Sequence, residues 1–403
     1  MNRQAVIAFL FSILLLAPLA RAGEVARWNR VMTTAAAAEQ TDPLTESRIF
    51  AIVQAAIHDA LNAIERRNEP YREGLSAASG ALPEAAVAAA AHAALVELLP
   101  AHKADFEMEF ANALEPMKDK RAAADGMRVG KQAAVRLLAL RRDDGANRPI
   151  AQSAGSRPGE YRPTPPDFTP AWAAHWGKVK PFVLASSSQF RPVPPLVPAS
   201  TRARAENEEV RAIGGKTSAL RNAEQSEISR FWYENSPQGW NRIAREVVAA
   251  RKLDEWQSAR LFALLNLAMA DGYIGGFEAK YRYNYWRPAT AIRANGDASW
   301  LSDLDTPPVP DYPSTHTVLG ASAAAVLARF FGTDMVSFSM TSGAPYAGIT
   351  RHFWSFSEAA QENGASRILA GIHFPTAVRA GYVQGDLIGA WAYDHALKPV
   401  RAD

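Results

Sequence analysis

From residue 43 onward the chain repeats apolar positions at the three- and four-residue spacing of amphipathic helices. Glu46 to Ile64 follows this period, and Pro83 opens an Ala-rich segment that ends at Pro100. Two more helices are predicted at about 101–114 and 119–142, the latter closed by Asp143-Asp144-Gly145. The pattern resumes after residue 201, predicting helices over 203–213, 222–235, 238–252, 254–286, 314–331, 355–372 and 377–397. Neither an alternating strand pattern of useful length nor a short-period repeat is present. These features predict an all-α protein built as helical bundles, with a functional site in the core of the C-terminal bundle, where facing helices converge.

Between the two helical parts, residues 145–200 hold eleven of the 26 prolines and several aromatics. This composition predicts a Pro-rich irregular connection. Trp172, Trp176 and Phe182 indicate that it packs on the helices, and both a roof over a site and simple packing fit. Residues 1–22 read as a signal peptide. Arg3 begins it, Ala5 to Ala20 is apolar but short for a membrane span, and Ala20-Arg21-Ala22 is an A-x-A cleavage pattern. The chain therefore divides into a signal peptide (1–22), an N-terminal helical part (23–144), the connection (145–200) and a C-terminal helical bundle (201–403). A secreted or periplasmic protein, free of the membrane after cleavage, is expected.

Composition narrows the function classes. The net charge is +3, and without the leader's Arg3 and Arg21 it falls to roughly +1, which gives no reason to expect nucleic acid or a membrane surface as partner. The chain has no Cys, which excludes disulfides, thiolate catalysis and Cys-based zinc sites.

Three short stretches carry the candidate chemistry. The first runs from Lys280 through Tyr283-Asn-Tyr-Trp to Arg287-Pro288, the second is Pro313-Ser314-Thr315-His316, and the third runs from Ser366-Arg367 to His373. Lys280 and Arg287 stand two helical turns apart, so one helix would point both the same way, with Pro288 ending it at Arg287. Pro313 lies at a helix start, so the N–H groups of Ser314, Thr315 and His316 would face outward at the positive end of the dipole. Gly371 would loosen the third helix and Pro375 stop it, leaving His373 at a helix end. One Lys, two Arg, a hydroxyl, a helix N-terminus and two His, with no carboxylate inside the motif cores, suit a tetrahedral oxyanion better than a divalent cation.

In order and internal spacing, these motifs resemble those shared by vanadium-dependent haloperoxidases and type 2 phosphatidic acid phosphatases: Lys-x6-Arg-Pro, Pro-Ser-Gly-His and Ser-Arg-x5-His. The stretches His58-Asp59-Ala-Leu-Asn62, Tyr283 to Arg293 and Ser355 to Ala360 are similar to the secreted bacterial haloperoxidase-like branch. The resemblance implies that Lys280, Arg287, Arg367, Ser314 and the Thr315 N–H bind the oxygens of vanadate or phosphate. It also implies that His373 is the vanadium ligand, with His316 opposite as proton donor and acceptor. A vanadate-dependent haloperoxidase, taking hydrogen peroxide and halide, is the first expectation. The alternative is a secreted acid phosphatase without a resident cofactor, in which His373 attacks a phosphomonoester, forms a phosphohistidine, and His316 protonates the leaving alcohol. A third reading is an oxyanion-binding protein with little turnover. A homo-oligomer is compatible with each.

Three positions depart from the pattern. Thr315 replaces the usual Gly, which predicts a narrower pocket and a negative φ. Ala377 stands where many members, phosphatases especially, carry an Asp that orients the histidine, so Asp386, Glu358 or another carboxylate would have to substitute. Val309 stands seven before His316, where similar haloperoxidases often carry Phe or His near the halide. His58, Asp59, His92, His102 and His352 read as structural.

Overall fold

Residues 23–400 are described by the structure, a computed structural model, and they are predominantly helical. The expected leader lies outside the described residues. In the N-terminal part, α1 spans Glu24–Ala38, α2 Pro43–Ile64, α3 Pro83–Leu98, α4 Lys103–Leu114 and α5 Lys120–Arg141. The carboxylates of Asp42 and Asp119 accept N–H groups that the first turns of α2 and α5 leave open.

The C-terminal part holds α6 Thr201–Ile213, α7 Ala223–Phe231, α8 Ser236–Arg251, α9 Glu255–Tyr283, α10 Pro288–Ala294, α11 Thr315–Phe331, α12 Phe356–Leu369 and α13 Pro375–His395. Helix α9 is the axis of the molecule. Every residue from Ser258 to Phe277 is buried, because α2, α11 and α13 pack around it. A helix apolar on all faces belongs in the interior. The core is continuous across both parts: Phe50 and Ile57 of α2 cluster with Phe262 and Leu265 of α9 and Leu319 of α11.

Small residues bring the site-bearing ends together. Gly381, Gly385 and Gly389 form a stripe on α13 against the α11 carbonyls of Ser314, Val318 and Ser322, where an added Cβ would lie 2.5, 2.2 and 2.4 Å away. Gly276 of α9 faces Thr315 in the same way, a Cβ there falling 2.5 Å from the Thr315 methyl. Gly276→Ala is therefore expected to cost about 1–3 kcal/mol, the range for overpacking. Urea unfolding checks this, and pairing the change with Thr315→Ser, which removes the opposing methyl, should recover most of the loss.

The connection over 145–200 is irregular as predicted, apart from a 3-10 turn at Trp176–Lys178. It is firmly pinned. Asp271 of α9, fully buried, accepts the N–H groups of Phe182, Val183 and Leu184 at 2.6, 2.7 and 2.8 Å.

Several expectations need correction. The helix predicted over 222–235 stops at Phe231, and α8 begins at Ser236. Helix α9 ends at Tyr283, not at Arg287, because Asn284 turns left-handed at φ 48° and caps it. Helices α1 and α10 were not predicted, nor was the hairpin pairing β1 (Phe338–Thr341) with β2 (Thr350–Phe353) antiparallel. Four-residue strands are too short for an alternation to register. Asp59 accepts from Tyr71 and Arg72 N–H, and His58 bridges Asp59 and Asn62, so this polar group clips the loop after α2, as its structural reading expected.

Candidate oxyanion site

The site is assembled around the Pro-rich loop 305–313, whose carbonyls aim the cations. Lys280, in the last turn of α9, donates from Nζ to the carbonyls of Pro310 (2.7 Å) and Asp311 (3.0 Å). Arg287 donates from Nε to Val309 O at 2.8 Å and from NH1 to Ile372 O at 2.6 Å. It does not share a helix with Lys280. It is the N-cap of α10, held extended at ψ 157° before Pro288, and the turn through Asn284 brings it back toward Lys280. Arg367, in the last turn of α12, donates to Trp232 O at 3.0 Å, while its Nε has no partner although buried. All three side chains are almost fully inaccessible.

Ser314 is the N-cap of α11 but makes no capping hydrogen bond. Its Oγ instead accepts from Thr317 Oγ1 at 2.9 Å, which leaves its own proton to donate. The expectation of three outward N–H groups holds only in part, because Ser314 N–H is spent on Ala377 O at 2.9 Å. Thr315 adopts helical geometry as predicted, and its methyl packs against Gly276 of α9. Ring Nδ1 of His316 lies 3.0 Å from Ser236 Oγ, and its Nε2, sealed from solvent, makes no hydrogen bond. His373 sits in the α12–α13 turn. Pro375 does not stop the preceding helix, which ends at Leu369; it is the first residue of α13.

Burial dominates the electrostatics. It holds Lys280 well below its ordinary value, with Arg287 adding to the effect, and holds Arg367 down at about 10. It likewise keeps both histidines well below theirs, and so neutral. Arg287 and Lys280 reinforce this at His373, and Arg367 does so at His316, where the nearby Trp232 carbonyl acts weakly in the other direction.

Three residues outside the predicted set join the site. Asp311, fully buried, places Oδ1 2.8 Å from His373 Nδ1. Burial lifts its carboxyl to about 7, against the pull of Arg287 and Lys280. Neither carboxylate named from the sequence serves here: Asp386 is exposed near Arg329, and Glu358 binds Trp354 N–H at the start of α12. Ser236 is the second addition. The third is Tyr161 of the connection, buried and without a partner for its hydroxyl, and electrostatically coupled to Arg287. Its segment is tied to the first motif by Tyr161 N–H to Asn284 O and Trp286 N–H to Gly159 O, at 2.8 and 2.9 Å. This part of the connection thus lies over the site. A cleft of about 290 Å³ between Thr164, Asp167, Tyr233, Thr306 and Pro307 lies beside it: Pro307 O accepts from Arg287, and the Tyr233 ring faces the Arg367 guanidinium. Val309 contributes its carbonyl, while its side chain joins the hydrophobic core.

Known proteins share this architecture. Residues 260–402, which contain all three motifs, match the model of the VCPO second helical-bundle domain. The chain is 27% identical over 275 residues to the vanadium chloroperoxidase of Curvularia inaequalis, an alignment that covers 50% of this chain and 45% of that protein. The crystal structure of a bacterial vanadium-dependent iodoperoxidase superposes with a TM-score of 0.86 at 27% identity, covering 94% of this chain and 98% of that one. The C-terminal bundle thus matches that domain model, and the fold as a whole is similar to that of the vanadium-dependent haloperoxidases.

A bacterial vanadium-dependent chloroperoxidase at 20% identity also shares the fold, with a TM-score of 0.71 over 88% of this chain. The curated vanadium haloperoxidase aligns over less than half its own length, so the match there is to part of that protein. The bacterial iodoperoxidase, by contrast, matches over nearly the whole of both chains.

Proposed function

We propose that this chain is a vanadate-dependent haloperoxidase, oxidising halide with hydrogen peroxide. The observation that carries the reading is the charge of the buried cluster: Lys280, Arg287 and Arg367 surround a space to which, among the described residues, Asp311 alone brings a carboxylate. Such an excess of buried cations calls for an anion of about two negative charges. The donors fit one. Arg367 Nε and His316 Nε2 are buried without partners, and the uncapped start of α11 offers the Thr315 N–H. Among the described residues there is no group of three His, Cys, Asp or Glu side chains to hold a cation.

In this reading Lys280, Arg287, Arg367, Ser314 Oγ and Thr315 N–H hold the vanadate oxygens, and Nε2 of His373 ligates the vanadium. Bound vanadate supplies a Lewis-acidic centre that activates hydrogen peroxide toward halide. The three cations stabilise the negative charge that develops on oxygen. His316, steadied by Ser236, holds or releases the proton at Nε2. The cleft beside Tyr233 and Pro307 admits the small reactants. Export through the leader at 1–22 belongs to the same proposal. Among the described residues no single helix is long and apolar enough to cross a membrane.

The phosphohistidine reading retains one supporting observation, since Asp311 behind His373 is also a fitting partner for a nucleophile. The reading of an oxyanion binder with little turnover rested on Ala377, and Asp311 removes that ground. One experiment separates them. Purified protein is assayed for peroxide-dependent oxidation of bromide and iodide, with and without orthovanadate, and for phosphate release from an aryl phosphate. Halide oxidation that requires orthovanadate is expected. Phosphate release inhibited by orthovanadate, with no halide oxidation, would make the protein a phosphatase.

A further inference from the structure

We propose that Asp311 is the positioning residue of the site: it fixes His373 in the tautomer protonated at Nδ1, so that the Nε2 lone pair points at the oxyanion site. One contact at the edge of the ring carries the assignment. Asp311 Oδ1 stands 2.8 Å from Nδ1, while Arg287 NH1 lies against the ring face, 3.0 Å from Nε2 and 3.4 Å from Nδ1. The Arg287 guanidinium, 4.0 Å from Oδ1, favours the ionised carboxylate, and an ionised carboxylate only accepts. The ring proton then lies on Nδ1 and is donated to Asp311.

Asp311 is itself held rigidly. Its N–H donates to Tyr285 O at 2.9 Å, its carbonyl accepts from Lys280 Nζ at 3.0 Å, and Oδ1 lies 4.0 Å from Arg287 NH1. One residue therefore touches the candidate ligand and both cations of the first motif. Asp311 lines a small cleft that Ala377 also lines. Asp311 Oδ2 is buried without a hydrogen-bond partner. The carboxylate thus stands in the space that a longer side chain at 377 would enter, and reaches the ring from the loop before α11 instead of from α13. An outer carboxylate of this kind sets both the direction and the basicity of an imidazole ligand.

The proposal rests on the oxyanion reading of the site, and the two can fail separately. The first measurement needs no variant. Vanadate-free protein labelled with 15N-histidine is examined by long-range 1H–15N NMR, with His373 identified by its signal's absence in His373→Gln. Protonation at Nδ1 is expected, and protonation at Nε2 would overturn the proposal. Orthovanadate binding is then measured by calorimetry on the full chain. Asp311→Ala should weaken it by about 10–100-fold, the usual cost of an outer-shell partner. Asp311→Asn, which keeps an acceptor, should lose less, and Ala377→Asp placed on Asp311→Ala should regain part of the affinity. If Asp311→Ala fails to fold, Asp311→Asn and the tautomer decide. Variants that fold and bind orthovanadate like the wild type, with the Nδ1 proton unchanged, would sink the idea. A wild type that shows the Nδ1 proton but binds neither orthovanadate nor phosphate would defeat the oxyanion reading instead.

Discussion

Replacing His373 by alanine is expected to abolish orthovanadate-dependent halide oxidation and to lower orthovanadate affinity by more than the roughly 10–100-fold that an outer-shell partner costs. The reason is geometric. In the proposed arrangement Asp311 holds the ring of His373 at Nδ1 and leaves the Nε2 lone pair free, while Arg287 lies against the ring face. Alanine leaves the cationic cage in place, because Arg287 keeps its bonds to Val309 O and Ile372 O and Lys280 keeps Pro310 O. Residual electrostatic binding of vanadate or phosphate should therefore persist, without turnover. Calorimetry paired with the iodide assay checks both halves. Full activity in a folded His373→Ala protein would refute the ligand assignment.

The second large effect is expected at His316. His316→Ala should lower turnover by about 10²–10⁴-fold, the range for losing a positioned acid–base group, while orthovanadate affinity changes far less. The three cations and His373 remain after this substitution, so binding is largely preserved and proton transfer is lost. Ser236 fixes the ring through Nδ1, and burial together with Arg367 keeps it neutral before the anion enters. A bound anion reverses the local field and favours the protonated ring. Steady-state kinetics beside binding isotherms separates the two effects. Equal losses in affinity and turnover would instead assign His316 to oxyanion binding.

Much of this architecture was legible from the residues. Helical periodicity and Pro punctuation located most helices, because burial of one helix face imposes a repeat that any reader of the chain can see. Lys280, Arg287, Ser314, Thr315, His316, Arg367 and His373 stood out through their types and order, and the structure brings them together. Ala377 signalled that an orienting carboxylate was missing, but not where its substitute lies. Asp311 was visible only as one residue in a Pro-rich loop. No spacing rule relates it to His373, which is 62 positions later and reached by a hydrogen bond across the fold.

The sequence by itself determined the helical class, the three motifs and the cationic character of the site, because these depend on local spacing and residue type. Tertiary structure decided what those residues do for one another. It ended α9 at Asn284, so that Arg287 returns from a separate helix. It aimed Lys280 and Arg287 with loop carbonyls, laid Tyr161 over the site, and set Asp311 against His373. Each of these depends on contacts between residues distant in the chain. The packing of α11 and α13 against α9 creates those contacts, and a local pattern does not encode them.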